Sequence, residues 1–176
     1  MTPSLYDRAK AIELLVLDVD GVLSDSSVIY SEAGETIKKF SVRDGLGLRV
    51  LQAGGIGVAI ITGRESQVLA LRAADLGIEH VYMGKRYKKE ALDELVAALK
   101  LDYSQVAYMG DDVNDLSCLK LVGLPMAPSD AVLEVLRESR FIANSAGGNG
   151  AVREACELIA QSKGIWTELV NNYFAL

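Results

Sequence analysis

A series of short apolar runs, each closed by a glycine, a hydroxyl or a charge, recurs along the chain: Leu14–Leu17, Gly57–Ile61, His80–Met83, Val106–Met109, Leu124–Met126 and Arg140–Ala143. Their residues are near-continuously apolar instead of alternating, the pattern of strands buried on both faces. Strands of that kind need helices on each side, and the intervals supply them. Leu92, Leu95, Val96 and Leu99 follow helical spacing, as do Val152, Ala155, Cys156 and Ile159. The expected fold is therefore α/β, a Rossmann-like parallel sheet with helices on both faces. One interval departs from the alternation. Val28–Tyr30 and Thr36–Phe40 flank the turn-like "SEAGE", which predicts a β-hairpin inserted directly after the first strand. No linker or compositional break divides the 176 residues, so residues 1–176 are expected to form one domain.

Bulk chemistry removes several classes of function. The net charge is −6 and no Lys/Arg-rich stripe stands out, which argues against a nucleic-acid groove. Runs such as Ile56–Ile61 are too short to cross a bilayer, and the opening "MTPSLYDRAKAIE" carries charges without an apolar signal core. A cytoplasmic protein without membrane contact is expected. Cys118 and Cys156 each sit alone in an apolar helical stretch, as buried thiols do, and cannot build a disulfide framework or a zinc site. His80 is the only histidine, which disfavours Ser–His–Asp and Cys–His catalysis. The glycines of "AGGIGVA" precede a strand instead of following one, so they do not form a dinucleotide loop. Those of "AGGNGAVRE" open a late helix, as a plain loop or as a turn approaching phosphate.

Ligands of open α/β sheets bind beyond the carboxyl ends of the strands. "LLVLDVDGVLSD" places Asp18 and Asp20 there, two carboxylates whose repulsion costs free energy unless a cation lies between them. "VAIITGR" adds Thr62, Gly63 and Arg64; "VAYMGDDVND" adds Asp111 and Asp112, then Asn114 and Asp115; "GKRYKKE" adds Lys85, Lys88 and Lys89. Taken singly, Asp20-Gly21 is a turn pair, Thr62 a helix cap, and Asp111 and Asp112 first-turn acids of a helix. Together, hard oxygen ligands with a hydroxyl and an ammonium suit Mg²⁺ and a phosphoryl group. In that reading Asp18 attacks phosphorus and Asp20, on the same side of the strand, moves the leaving-group proton. Thr62 and one lysine hold the phosphoryl oxygens. A phospho-aspartate receiver module is the rival from another class, and Asp20 separates the two: an acid/base beside the nucleophile promotes turnover, whereas a receiver stores its phosphate.

These motifs closely resemble those of the haloacid dehalogenase superfamily of phosphohydrolases: "DVDGV" its nucleophile motif, "ITG" its threonine motif, "GDDVND" its metal motif, in the family's order from about residue 14 to 115. The position after the third strand assigns the family's lysine to Lys88, with Lys85 and Lys89 as competitors. The resemblance implies metal ligands Asp18, Asp20 (through its backbone carbonyl) and Asp111, supported by Asp112 and Asp115. The intervals that carry a cap domain in relatives hold only the hairpin and one helix-rich connection here, so the chain resembles the capless class. Longer matches in "KKFSVRDGLGLRVL" and "GGNGAVREACELI" resemble a capless branch acting on sugar acid phosphates. They imply a Mg²⁺-dependent homotetramer of lipopolysaccharide synthesis, with each site completed by a neighbouring subunit. Substrate contacts are then expected from Asp20, Ser41, Val42, Arg43, Asp44, Gly45, Arg49, Gly63, Arg64, Arg72, Lys88 and Asn114. Arg72 stands equally well as a surface or intersubunit residue. "SVRDG" opens a helix in which Asp44 is placed to cap and backbone N–H groups face an anion. A related phosphatase of nine-carbon sugar acids carries glutamate where Arg64 stands, which favours an eight-carbon substrate. Tyr173 and Phe174 are placed either to pack on a neighbouring subunit or to fray.

Overall fold

The structure, a computed structural model, describes residues 3–32 and 34–174, without the side chains of Glu35, Thr36, Tyr173 and Phe174. The expectation that the last two pack on a neighbour therefore falls outside what is described, as does Ala33 of the predicted turn. In chain order the elements are α1 (Leu5–Lys10), β1 (Leu14–Leu17), β2 (Ile29–Ser31), β3 (Gly34–Ile37) and α2 (Val42–Ala53). Next come β4 (Gly57–Ile61), α3 (Gln67–Asp75), β5 (His80–Tyr82), α4 (Lys88–Leu99) and β6 (Val106–Met109). The chain closes with α5 (Leu116–Leu119), β7 (Leu124–Ala127), α6 (Leu133–Glu138), β8 (Phe141–Ile142), α7 (Ala151–Ser162) and α8 (Trp166–Phe174).

Among the described residues, six strands form one parallel sheet in the order β5-β4-β1-β6-β7-β8. β1 lies inside it, paired on both edges, so the loop after β1 sits between those after β4 and β6. Strand alternation feeds two cores. Leu15 and Leu17 pack with Ala9, Leu48, Leu51, Ala73 and Ile159 on the α1, α2, α3 and α7 face. Leu14 and Val16 pack with Leu92, Leu95, Leu119 and Val135 on the α4, α5 and α6 face. Each fully buried aliphatic side chain contributes about 1.5–3 kcal/mol, which is why β1 tolerates no polar residue before Asp18.

The differences from the sequence reading are local. β5 stops at Tyr82 and β8 is reduced to two residues. The hairpin is present, yet β3 starts at Gly34, whose φ of +102° suits a tight turn, and ends at Ile37. Lys38 leaves the strand because its side chain turns inward to an ion pair with Asp20. Asp44 does not cap its own helix. Ser41 does, accepting from the Asp44 N–H at 3.3 Å. The buried Asp44 carboxylate instead accepts from Gly150 N–H (3.3 Å) and Arg153 N–H (2.8 Å), capping α7 across the α2–α7 seam. Burial lifts its pKa above the usual carboxylate range despite those donors.

Candidate active site

Because β1, β4 and β6 are adjacent and parallel, their carboxyl ends deliver Asp18, Thr62 and Asp111 to one edge. A cleft of about 290 Å³ opens there, lined by Asp18, Asp20, Ser26, Thr62, Gly63, Arg64, Asp111, Asp112 and Asn114. Thr62 is buried and its hydroxyl accepts from Arg64 N–H only at 3.5 Å; the cap of α3 is Ser66, accepting from Leu69 N–H at 3.2 Å. Thr62 is thereby left to face the cleft. Ser26, which the sequence reading missed, sits in the left-handed region at φ +63° on the rim.

Under the cleft lies a buried charge network. Lys88, 1% exposed at the start of α4, places Nζ 2.8 Å from Asp18 Oδ2 and 2.7 Å from Asp115 Oδ1. Of the three lysines left open by the sequence, Lys89 pairs with Asp93 in solvent and Lys85 is only half-buried, whereas Lys88 reaches Asp18. Asp115 is saturated: it also accepts from Tyr108 OH (2.7 Å), Asp111 N–H (3.1 Å) and Asp112 N–H (3.3 Å). Its carboxylate anchors Lys88 and the loop after β6, and Tyr108 is a supporting residue no motif had marked. Asp112 caps the short turn Val113–Asp115 through a 2.7 Å bond from Val113 N–H.

Asp18, Asp111 and Asp115 each offer an oxygen within 4.8 Å of the others. Since the Asp115 oxygens are taken, Asp18 and Asp111 remain to face a cation. Asp111 Oδ1 is buried with no hydrogen-bond partner among the described residues, the condition a missing ligand would relieve. Burial, then Asp18 and Asp115, push the Asp111 pKa up to about 8; burial and Asp115 push Asp18 up to about 6 against the pull of Lys88. Burial alone would lower the Lys88 pKa, but the two carboxylates outweigh it and raise it. Three carboxylates against one ammonium fit a divalent, oxygen-loving cation. The Asp20 side chain is not part of this trio. It faces Lys38 and, at 3.6 Å, Arg64 Nε, so only its backbone carbonyl remains for a metal.

Gly21 keeps the trio open. Its φ is +95°, and a Cβ there would lie 2.0 Å from Asp111 Oδ2 and 2.8 Å from Ser26 Oγ. Gly21→Ala is expected to lower Tm by roughly 5 °C and divalent-cation affinity at least about tenfold, read by calorimetry and titration. The glycines of "AGGNG" close the nucleophile loop from behind, with Gly148 N–H donating to Val22 O at 2.9 Å. They form a packing loop and do not line the cleft.

Not every expected substrate residue reaches this cleft. Arg49 and Arg72 both converge on Asp75, at 3.1 and 2.9 Å, and line a depression between α2 and α3 with Val42 and Gly45. Ser41 and Arg43 line a groove beside Gly148 and Asn149. Asp44 is consumed as the cap of α7. Within one chain, then, the "SVRDG" segment, Arg49 and Arg72 stand apart from the carboxylates, while Asp20, Gly63, Arg64 and Asn114 surround them.

Comparison with known proteins identifies the family. A family profile described as haloacid dehalogenase-like hydrolase matches residues 41–123. The 3-deoxy-D-manno-octulosonate 8-phosphate phosphatase KdsC of Yersinia pestis is 47% identical over 161 residues, covering 90% of this chain and 86% of the relative. The enzyme of that name from Salmonella typhimurium is 42% identical, covering 93% of this chain and 87% of its own. A crystal structure of 3-deoxy-D-manno-octulosonate 8-phosphate phosphatase from Moraxella catarrhalis, in complex with magnesium, phosphate and KDO, superposes with a TM-score of 0.92 at 41% identity, covering 96% and 97% of the two chains. With Asp18, Thr62, Lys88 and Asp111 gathered at one sheet edge and likeness across nearly its whole length, the chain belongs to the haloacid dehalogenase-like hydrolases, in the family of the 3-deoxy-D-manno-octulosonate 8-phosphate phosphatases.

Proposed function

We propose that this chain is a Mg²⁺-dependent phosphomonoesterase that hydrolyses 3-deoxy-D-manno-octulosonate 8-phosphate through a phospho-Asp18 intermediate. The observation that carries the reading is the buried Lys88, fixed by Asp115 against Asp18 beside the partnerless oxygen of Asp111. Asp18 and Asp111 would hold magnesium, which offsets the charge of an anionic nucleophile meeting an anionic ester. An Asp18 oxygen forms a bond to phosphorus as the bond from phosphorus to the sugar oxygen breaks, and Asp20 gives that oxygen its proton. Water then attacks the phospho-Asp18, the bond from Asp18 to phosphorus breaks, and Asp20 takes back a proton from the water. Thr62 Oγ1 and Lys88 Nζ hold the phosphoryl oxygens, replacing solvent.

Arg64, on the cleft, is suited to the substrate carboxylate. The placement of "SVRDG", Arg49 and Arg72 outside their own cleft supports completion of each site by a neighbouring subunit, as in the homotetramer proposed from the family resemblance. One six-stranded sheet whose strands run from Leu14 to Ile142, with the β2–β3 hairpin beside it, supports a single domain over residues 1–176. Among the described residues no helix is long and apolar enough to cross a membrane, which accords with a cytoplasmic role in lipopolysaccharide synthesis.

A panel of sugar acid phosphates with Mg²⁺ tests the reading. The expected kcat/KM for the eight-carbon acid exceeds that for a nine-carbon acid at least about tenfold, since a hydrogen bond to a charged group is worth about 1.5–3 kcal/mol. Preference for an unrelated phosphate would overturn the substrate, and phosphate release undiminished by EDTA would overturn the chemistry.

A further inference from the structure

The hairpin β2–β3 forms its own two-stranded sheet, apart from the six-stranded one, with Ile29, Tyr30 and Ile37 exposed. A free-standing hairpin is marginal in water. Two side chains nevertheless run from it into the catalytic edge. Lys38, at the exit of β3, buries its side chain to 1% exposure and pairs with Asp20 Oδ1, which Ser24 Oγ also approaches at 3.4 Å. Tyr30, on β2, donates no space to the core; its hydroxyl meets Arg64, and the guanidinium lies 5.7 Å from the ring centroid. Arg64 Nε in turn stands 3.6 Å from Asp20 Oδ2. Taking an ammonium out of water costs several kcal/mol unless a fixed partner recovers it. Burial of that ammonium against Asp20 fixes a group placed for proton transfer.

We propose that the hairpin is a positioning arm of the active site: Lys38 holds Oδ1 of Asp20, leaving Oδ2 to exchange the proton, and Tyr30 holds Arg64 beside it. The proposal rests on the reading of Asp20 as the leaving-group acid. When Asp20 gives its proton to the departing sugar oxygen it becomes a carboxylate, and the Lys38 ammonium stabilises that charge without moving. When water attacks, the same contact keeps Asp20 aimed at it. Lys38 and Tyr30 act through Asp20 and Arg64 and need not touch substrate.

Leaving-group dependence gives the test, using the full chain with Mg²⁺. A sugar phosphate leaves as an alkoxide and needs the proton; p-nitrophenyl phosphate leaves as a stable phenolate and does not. Lys38→Met is expected to lower kcat/KM, which reports the phosphorylation of Asp18 and not the later attack of water, at least about 100-fold for the sugar acid phosphate and less than about fivefold for p-nitrophenyl phosphate. Lys38→Arg, which keeps the ion pair, is expected to recover at least about tenfold of that loss. Tyr30→Phe is expected to raise KM for the sugar acid phosphate several-fold and leave p-nitrophenyl phosphate unchanged. Equal losses of kcat/KM on both substrates, no loss on either, or no recovery with arginine would overturn the proposal. Should Lys38→Met fail to fold, Lys38→Arg and Tyr30→Phe decide on the same two substrates, an equal loss on both counting against it. If the wild type cleaves other alkyl phosphates but ignores the eight-carbon acid, the substrate reading fails, and the split is then measured on the alkyl phosphate it accepts.

Discussion

Asp18→Asn is expected to lower kcat by about 10⁴-fold or more while leaving the fold at least as stable as before. The amide keeps the shape of the carboxylate and still accepts from Lys88 Nζ, which retains Asp115 Oδ1 at 2.7 Å as its other partner. On the proposed mechanism it loses the anionic oxygen that bonds to phosphorus, and no described neighbour substitutes for it: Asp115 is saturated and Asp111 is the group proposed to hold the cation. The stability half of the expectation follows from linkage. Burial raises the Asp18 pKa from 3.8 to about 6, so in the metal-free protein its stabilising contribution is full below about 3.8 and lost as pH rises through about 6. Asparagine carries no such loss. At pH 8 the metal-free variant is expected to melt roughly 2–4 °C above the wild type, with the difference shrinking below about pH 6 and gone below about pH 3.8. Phosphate release and calorimetry on the same preparation check both halves. Retained activity would remove Asp18 as nucleophile, and a lower Tm at pH 8 would show that the Lys88 pair outweighs the crowding of carboxylates.

The sequence made the catalytic edge legible because parallel topology converts strand order into position. Once Leu14–Leu17, Gly57–Ile61 and Val106–Met109 are strands of one sheet, Asp18, Thr62 and Asp111 have nowhere else to converge. Lys88 was also readable, more sharply than motif order allowed. It shares the apolar helical stripe of Leu92, Leu95 and Val96, all buried on α4, whereas Lys85 precedes that helix and Lys89 points to solvent. Asp44 shows where local rules lose. Its position in the first turn of α2 suggested a cap for that helix, but Ser41 already fills the role. The start of α7 is a glycine with no side chain to cap its N–H groups, so the buried Asp44 serves a helix more than a hundred residues away in sequence. Lys38 was illegible for a related reason. Nothing in "TIKKF" says which lysine turns inward; that depends on the angle at which the hairpin meets the loop after β1. Likewise, Arg49 and Arg72 have the charge expected of substrate ligands, yet within one chain their geometry is spent on Asp75.

Removal of the metal is expected to reduce phosphate release at least about 10³-fold, and the affinity for Mg²⁺ is expected to climb steeply with pH. The cause lies in Asp111, whose pKa burial and then the Asp18 and Asp115 charges raise to about 8. Below that pH the metal-free site holds a proton where the ion must bind, so each Mg²⁺ displaces about one proton between pH 6 and 8 and a second below about 6, where Asp18 also protonates. Affinity should therefore rise about 100-fold from pH 6 to 8, with the released proton visible as a buffer-dependent heat in calorimetry. Stability moves in the matching direction. Both folded-state values lie above the ordinary 3.8, so the metal-free fold gains most from these groups in acid and loses that gain as pH passes about 6 and then about 8. Metal-free Tm should fall between pH 5.5 and 8.5, and saturating Mg²⁺ should restore it by an amount growing to roughly 5–10 °C. Magnesium affinity that stays flat from pH 6 to 8.5 would mean that Asp111 is not the ligand, and Asp111→Asn, which removes the proton as well as the charge, should then bind the ion as well as the wild type. If Asp111 is the ligand, that variant loses both the affinity and its pH dependence, because the oxygen left bare in the fold is the one the cation needs.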